Sequence, residues 1–195
     1  LAIHLGLAFG ILALIKWYIF ALGRSSADLL QSQRNREGAL HQLSTILLVV
    51  VFVQILLGAL VAGIDAGRGY TDWPMMGGAF LPSESFDYQP AWSNFFENPA
   101  LVQFNHRMFG YVTVVLTLFT WWKSRQSAHK ATQSRGQMVA ALVVLQMGLG
   151  IVTVLYAAPV GWAIIHQFGA IVVVVMVQSL RFQTAYPKQQ SVRGS

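Results

Sequence analysis

The sequence predicts an all-α membrane protein with five transmembrane helices. Three observations carry this reading. The 195-residue chain is 55% hydrophobic and only 10% charged, with a mean hydropathy of +0.53, more apolar surface than one water-soluble core can hide. Its apolar residues gather into five runs long enough to span a bilayer at about 1.5 Å per helical residue. The connections between the runs alternate, basic segments on one side against an acidic loop and the Pro159 turn on the other, as expected of a chain that crosses a membrane repeatedly.

Residues 1–22 are the first run, broken by His4 near one end and Lys16 toward the other. Lys16 beside Trp17 and Tyr18 reads as an interfacial anchor whose ammonium reaches outward while the aromatic rings sit at the headgroup level. The chain opens inside this run, without methionine or a signal-peptide layout, so it is expected to be a fragment lacking an N-terminal part. Residues 23–41 form a polar connection with Arg24, Arg34 and Arg36, and 42–63 the second span. Residues 64–100 are a long loop holding Asp65, Asp72, Glu84, Asp87 and Glu97 against one basic residue, Arg68. Loops of this length are usually functional or disordered, and its many aromatic residues argue for order. Trp73-Pro74-Met75-Met76-Gly77-Gly78 within it reads as a structured lid. The third span covers 101–122 and ends on Trp121-Trp122. A connection with Lys123, Arg125, Lys130 and Arg135 leads to the fourth span, 136–156. Residues 157–161 make a tight turn before the fifth span, 162–180. Residues 181–195 are a polar tail with Arg181, Lys188 and Arg193.

The basic segments 24–36, 123–135 and 181–193 all fall on one side, which the positive-inside rule assigns to the cytoplasm or the mitochondrial matrix. Spans one, three and five therefore run from outside to inside, and the acidic loop lies outside. The +6 charge is spread over these short segments rather than gathered on one face, so a lipid bilayer and no nucleic acid is the expected environment. The absence of cysteine excludes disulfides, thiolate metal sites, iron-sulfur clusters held by cysteine and c-type haem attachment. No phosphate loop, zinc spacing or nucleophile elbow is present.

The orientation brings three histidines into one pattern, because His4, His106 and His166 each lie near the outer end of a span of the same direction. His106 and His166 each fall about 7 to 8 Å along their helices. Both are followed by Phe-Gly, as Phe109-Gly110 and Phe168-Gly169, and His4 has Phe9-Gly10 further on. The even spans repeat as well, in Gln54-Ile-Leu-Leu57-Gly58 and Gln146-Met-Gly-Leu149-Gly150, so the chain reads as a duplicated helix pair. A single membrane histidine commonly serves as an interhelical hydrogen-bonder. Three at matched depth on codirectional helices point instead to haem, with His106 and His166 as paired axial ligands and Arg107 or Arg68 meeting the propionates. His4 then needs a partner from outside this chain, at a second haem site. His41 and His129 read as surface residues of the inner connections. Gln54 and Gln146 fit helix-packing glue and pocket lining equally well.

Several of these pieces resemble the haem A synthase family. They are Gly58-Ala-Leu-Val-Ala-Gly63-Ile-Asp65-Ala-Gly67, Trp73-Pro74-Met75-Met76-Gly77, Glu97-Asn98-Pro99 with Val102-Gln103-Phe104-Asn105-His106-Arg107, Gln146 to Gly150, and His166-Gln167. They cover nearly the whole chain in order. The resemblance implies helices four to eight of an eight-helix protein made of two four-helix bundles. Residues 1–22 would be the last helix of the N-terminal bundle, 23–41 a cytoplasmic or matrix connection, 42–180 the C-terminal four-helix haem-binding bundle with outer loop 64–100, and 181–195 an inner tail. It further implies that His106 and His166 hold a haem b cofactor, and that His4 belongs to the site where a methyl group of haem O is oxidised to the formyl group of haem A for cytochrome oxidase. The glutamate and second histidine of that site are not in this sequence, so the fragment alone is expected to be inactive. Some family members carry a cysteine pair in an outer loop of the N-terminal half. The lack of cysteine here and the long outer loop suit the proteobacterial and mitochondrial branch, placing the protein in a bacterial or mitochondrial inner membrane. Haem O synthase and cytochrome oxidase assembly factors are the implied partners, and homo-oligomerisation stays open. Two other readings are a b-type electron-transfer subunit and a non-haem assembly protein whose histidines only pack helices.

Overall fold

A computed structural model describes residues 1–188; the predicted tail residue Arg193 lies outside them. Regular structure within them is helical: α1 (Ala2–Leu22), α2 (Ser26–Gln33), α3 (Gly38–Gly63), α4 (Asn94–Glu97), α5 (Pro99–Ser124), α6 (Lys130–Leu155) and α7 (Val160–Ala185). Short 3-10 turns at Ala66–Arg68, Ser83–Phe86 and Ala91–Ser93 punctuate the long loop. Among the described residues, α1, α3, α6 and α7 are long and apolar enough to cross a membrane. The expected third span, α5, matches them in length but not in hydropathy. Gln103, Asn105, His106 and Arg107 occupy its outer half, and Thr113, Thr117 and Thr120 its inner half.

The helices outrun the apolar runs that announced them. α5 starts at Pro99, α6 takes in the basic residues from Lys130, and α7 continues to Ala185. Hydropathy marks only the stretch within the hydrocarbon, whereas charged turns at headgroup level remain helical. The connection 23–41 contains α2, whose first turn is capped by Ser25 accepting from the Asp28 N–H at 3.2 Å. His41 is not in a connection but in the first turn of α3, where its Nδ1 lies 3.2 Å from the Arg181 carbonyl.

The four helices α3, α5, α6 and α7 form a closed ring in which each packs against its neighbours, α3 on α5, α5 on α6, α6 on α7 and α7 back on α3. α1 lies outside the ring, against α3 and α7. The inner half of the ring is filled by Leu47 and Val51 of α3, Val139 and Val143 of α6, and Val173, Val174, Val177 and Leu180 of α7. α5 contributes small polar side chains there instead. Thr113, Thr117 and Thr120 are buried and return their hydroxyls to the carbonyls of Phe109, Thr113 and Leu116 at 2.7–2.9 Å. In an apolar medium this satisfies the hydroxyls locally and leaves a narrow helix face.

At the inner end Glu37 acts as a clasp. Its N–H donates to the Thr184 carbonyl of α7 at 3.0 Å, and its carboxylate accepts from Thr132 of α6 at 2.7 Å and from Ser127. The interfacial anchors are cation–π pairs: Lys16 over Phe20 at 4.6 Å, Arg181 over Trp17 at 4.6 Å and Lys123 over Trp122 at 4.7 Å. The large apolar side chains left exposed, among them Ile3, Leu7, Ile11, Val115 and Leu145, suit lipid as the surrounding solvent.

α5 and α6 approach closely at Gly136, where a β-carbon would run into Ser124. Gly136→Leu is expected to wedge these helices apart at a cost of about 1–3 kcal/mol for overpacking. A lowered thermal midpoint in detergent, with helix content retained by circular dichroism, checks it.

Candidate functional site

The outer half of the ring holds its histidines. His106 of α5 and His166 of α7 are diagonal in the ring, and their imidazoles meet as a T-shaped pair with centroids 6.5 Å apart and planes at 89°. Both are half-buried. Behind each ring is a glycine of the neighbouring helix. A β-carbon on Gly58 of α3 would stand 2.9 Å from His106 Cε1, and one on Gly150 of α6 would stand 3.0 Å from His166 Cε1. A side chain at either place would press directly on the imidazole. Each histidine also meets a glutamine one turn before that glycine. Gln54 Nε2 lies 3.1 Å from His106 Nδ1, and Gln146 Nε2 lies 3.1 Å from His166 Nδ1. The helix pairs α3/α5 and α6/α7 are thus two copies of one arrangement.

This pair can be tested against a haem. Two metal–nitrogen bonds of about 2 Å in line, with half a ring on either side, give a centroid separation close to the 6.5 Å observed. With Nδ1 of each ring engaged, Nε2 remains for a metal. Among the described residues no cluster of three or more His, Cys, Asp or Glu could hold a metal ion. A haem does not need one, since its macrocycle supplies the equatorial nitrogens and only axial ligands come from protein. The residues fit the group.

The chain enters α5 through a polar network. Asn98 caps the helix, accepting from Ala100 N–H at 3.0 Å and Leu101 N–H at 3.4 Å, and Pro99 takes the first helical position, where a missing N–H costs nothing. Asn98 also donates to the Glu84 carbonyl at 2.7 Å and to Asn94 at 3.0 Å. Buried Asn94 in turn bonds both backbone groups of Tyr88. From α5 a stripe at four-residue spacing reaches up to the loop. Gln103 donates to the Tyr70 carbonyl at 3.0 Å, Arg107 donates to the carbonyls of Tyr70, Asp72 and Met75 at 2.9–3.0 Å, and the Tyr111 hydroxyl accepts from Trp73 Nε1 at 2.9 Å. The loop segment 70–76 is strapped over the end of the histidine helix.

The expected site residues therefore separate. His106 and His166 come together. Arg107 sits one residue on, but its Nη atoms are committed to loop carbonyls, and only Nε, buried and without a hydrogen bond, is left. Arg68 is exposed, 3.9 Å from Asp65. His4 is exposed on α1, away from the Gly6 and Phe9 face that packs on the bundle. The structure does not bring it to the histidine pair. Gln103 and Asn94 carry the loop and were not singled out from sequence. The spacing Gln103, Arg107, Tyr111 was the available signal for the first.

The lid 73–78 is a tight turn. Asp72 accepts from the N–H groups of Gly77 and Gly78 at 2.9 and 3.1 Å, both glycines lying at positive φ, and Met76 pairs with Ala79. These N–H donors hold the Asp72 carboxyl below its ordinary value, and Tyr70 does the same for Glu84. Burial raises the Tyr70 hydroxyl to about 12, helped by Glu84.

Comparison with known proteins places these features in context. The family described as cytochrome oxidase assembly protein, COX15-CtaA, matches residues 1–178. Curated relatives named Heme A synthase include those of Dinoroseobacter shibae, 55% identical over 195 residues, Roseobacter denitrificans, 54% over 195, and Paracoccus denitrificans, 52% over 197. Each alignment covers all of this chain and 51% of the relative, so the chain spans about half the length of the curated relatives it matches. No solved structure matches.

Because the folded-state pKa of Asp72 is depressed, its contribution to loop order is present above the unfolded value of 3.8 and is lost as pH falls through the folded one. Limited proteolysis within 70–97 is expected to be uniform at neutral and mildly acidic pH and to rise below that value. In Asp72→Asn this acid-dependent rise should shrink to the part carried by Glu84, whose carboxyl Tyr70 also holds below its ordinary value.

Proposed function

Since the chain belongs to the COX15-CtaA family of cytochrome oxidase assembly proteins, we propose that it is the C-terminal, haem b-holding part of a haem A synthase, the enzyme that oxidises a methyl group of haem O to the formyl group of haem A. The observation that carries the reading is the facing pair His106 and His166, 6.5 Å between centroids across the ring diagonal. Their Nε2 atoms would hold the haem iron. A haem bound there supplies one-electron redox chemistry. The chain's own residues orient it. Gly58 and Gly150 back the two imidazoles, and Arg107 offers its unpartnered Nε to a propionate. Arg68, further out, is the second cation for that rim. The loop strapped by Gln103, Arg107 and Tyr111 keeps water from the outer end of the pair.

In this reading α5 is a fifth span, stabilised in the membrane by the ring around it despite its polar stripe. The ring from 42 to 180 is the haem-binding bundle, and residues 1–22 belong to a neighbouring bundle. His4, exposed on α1, ligates the substrate haem O there with a partner beyond this chain. Basic connections on the inner side orient the protein with its loop outside a bacterial or mitochondrial inner membrane. Haem O synthase and the assembly factors of cytochrome oxidase are the partners that deliver and receive the pigment.

Haem extraction and absorption spectroscopy of the natural full chain test the proposal. A low-spin Soret spectrum and haem b are expected in the wild type, with both lost in His106→Ala and in His166→Ala. Added haem O should be converted to haem A by the wild type. Retention of the haem b spectrum in His166→Ala would sink the ligand assignment, and a reversible haem with no conversion of haem O would make the protein an electron-transfer subunit instead.

A further inference from the structure

Gln54 and Gln146 carry no role in the reading above, yet they occupy equivalent places in the two halves of the ring. Each amide nitrogen lies 3.1 Å from Nδ1 of its histidine and also donates to that histidine's own backbone carbonyl, at 3.0 Å for Gln54. One side chain thereby grips both the ring and the backbone of a single residue, which fixes the ring's rotation. The amides are themselves confined. Any β-carbon on Gly169 would collide with Gln146 Oε1, and one on Gly110 would stand 3.3 Å from Gln54 Nε2.

The donor pattern bears on metal binding. A neutral imidazole carries one proton on one of its two nitrogens, and iron at Nε2 leaves that proton on Nδ1. The group facing Nδ1 must then accept rather than donate. A glutamine can do this by turning its oxygen toward the ring, and Gln54 Oε1 is buried with no hydrogen bond among the described residues. Leucine or methionine at these positions would offer no such exchange.

We propose that Gln54 and Gln146 are positioning residues for His106 and His166, their amides turning from donor to acceptor at Nδ1 when Nε2 takes iron, and so setting ring orientation and ligand strength. This rests on the haem reading and deepens it. Outer partners of this kind hold the tautomer and raise the basicity of a ligating histidine, and their loss typically costs about 10–100-fold in metal affinity. A glutamine serving only as interhelical glue changes stability and leaves the metal's electronic signature alone.

The test uses the natural full chain with its haem, read by haem retention, by the low-spin ferric EPR signal, whose largest g value follows the angle between the imidazole planes, and by redox titration. Gln54→Leu and Gln146→Leu are expected to release haem about 10–100-fold more readily and to shift that g value. Gln54→Glu and Gln146→Glu, which keep an acceptor and strengthen it, are expected to retain haem with a lowered midpoint potential. Leucine variants with wild-type retention, EPR and potential would overturn the proposal, as would glutamate variants whose potential is unchanged or raised. Should the leucine variants not accumulate, the glutamate pair decides. A wild type without haem, or one whose spectrum survives His106→Ala and His166→Ala, would instead overturn the haem reading itself.

Discussion

Every polar group placed within apolar helices here has to find its partner inside the protein, and that requirement organises the bundle. His106 and His166 are answered by Gln54 and Gln146 from adjacent helices. Thr113, Thr117 and Thr120 answer themselves by bonding one turn back along α5. Arg107 is answered by three loop carbonyls, which lie above the helix rather than beside it. The partners differ because the faces differ. His106 and Arg107 are consecutive on α5, yet the histidine turns to a side chain of the neighbouring helix while the longer guanidinium reaches up to the loop, and the threonines further along have hydroxyls short enough to reach their own backbone.

The two-copy plan of the ring explains why its halves behave differently. Each copy contributes one histidine and one glutamine-glycine helix, so the outer half has a polar centre with two equivalent sides. Toward the inside the equivalence ends. Val139, Val143, Val173, Val174 and Val177 fill the space from α6 and α7, while α5 offers threonines. The Glu37 clasp then joins α3 to α6 and α7. The space between the histidines is therefore closed on the inner side by packed aliphatic side chains.

Much of this was legible in the sequence, and for identifiable reasons. Apolar runs gave the long helices, and their ends were missed by a few residues because Lys130 and Arg135 are helical but not apolar. Equal depth and shared direction paired His106 with His166. The same argument set His4 at a second site of its own, and the structure leaves it exposed on α1, apart from the pair; depth along a helix says nothing about which way a side chain faces. The direction of Arg107 was hidden for a related cause. A guanidinium beside a candidate ligand histidine suggests an anion, but the carbonyls it bonds lie 32 to 37 residues earlier in the chain, and no local pattern announces a contact over that separation. Gln54 and Gln146 were visible as a repeat, yet their partners became known only when α3 was set beside α5 and α6 beside α7.

The glycines behind the two imidazoles have a consequence for tolerance. Because Gly58 and Gly150 give each ring backbone rather than a side chain to lean on, the gap between the rings is metered by main-chain positions, which neither swap rotamers nor compress. The bundle works as a caliper with two hard jaws. A shift of α3 at Gly58 or of α6 at Gly150 therefore changes the space between His106 and His166 directly, even when every side chain that lines it is unchanged.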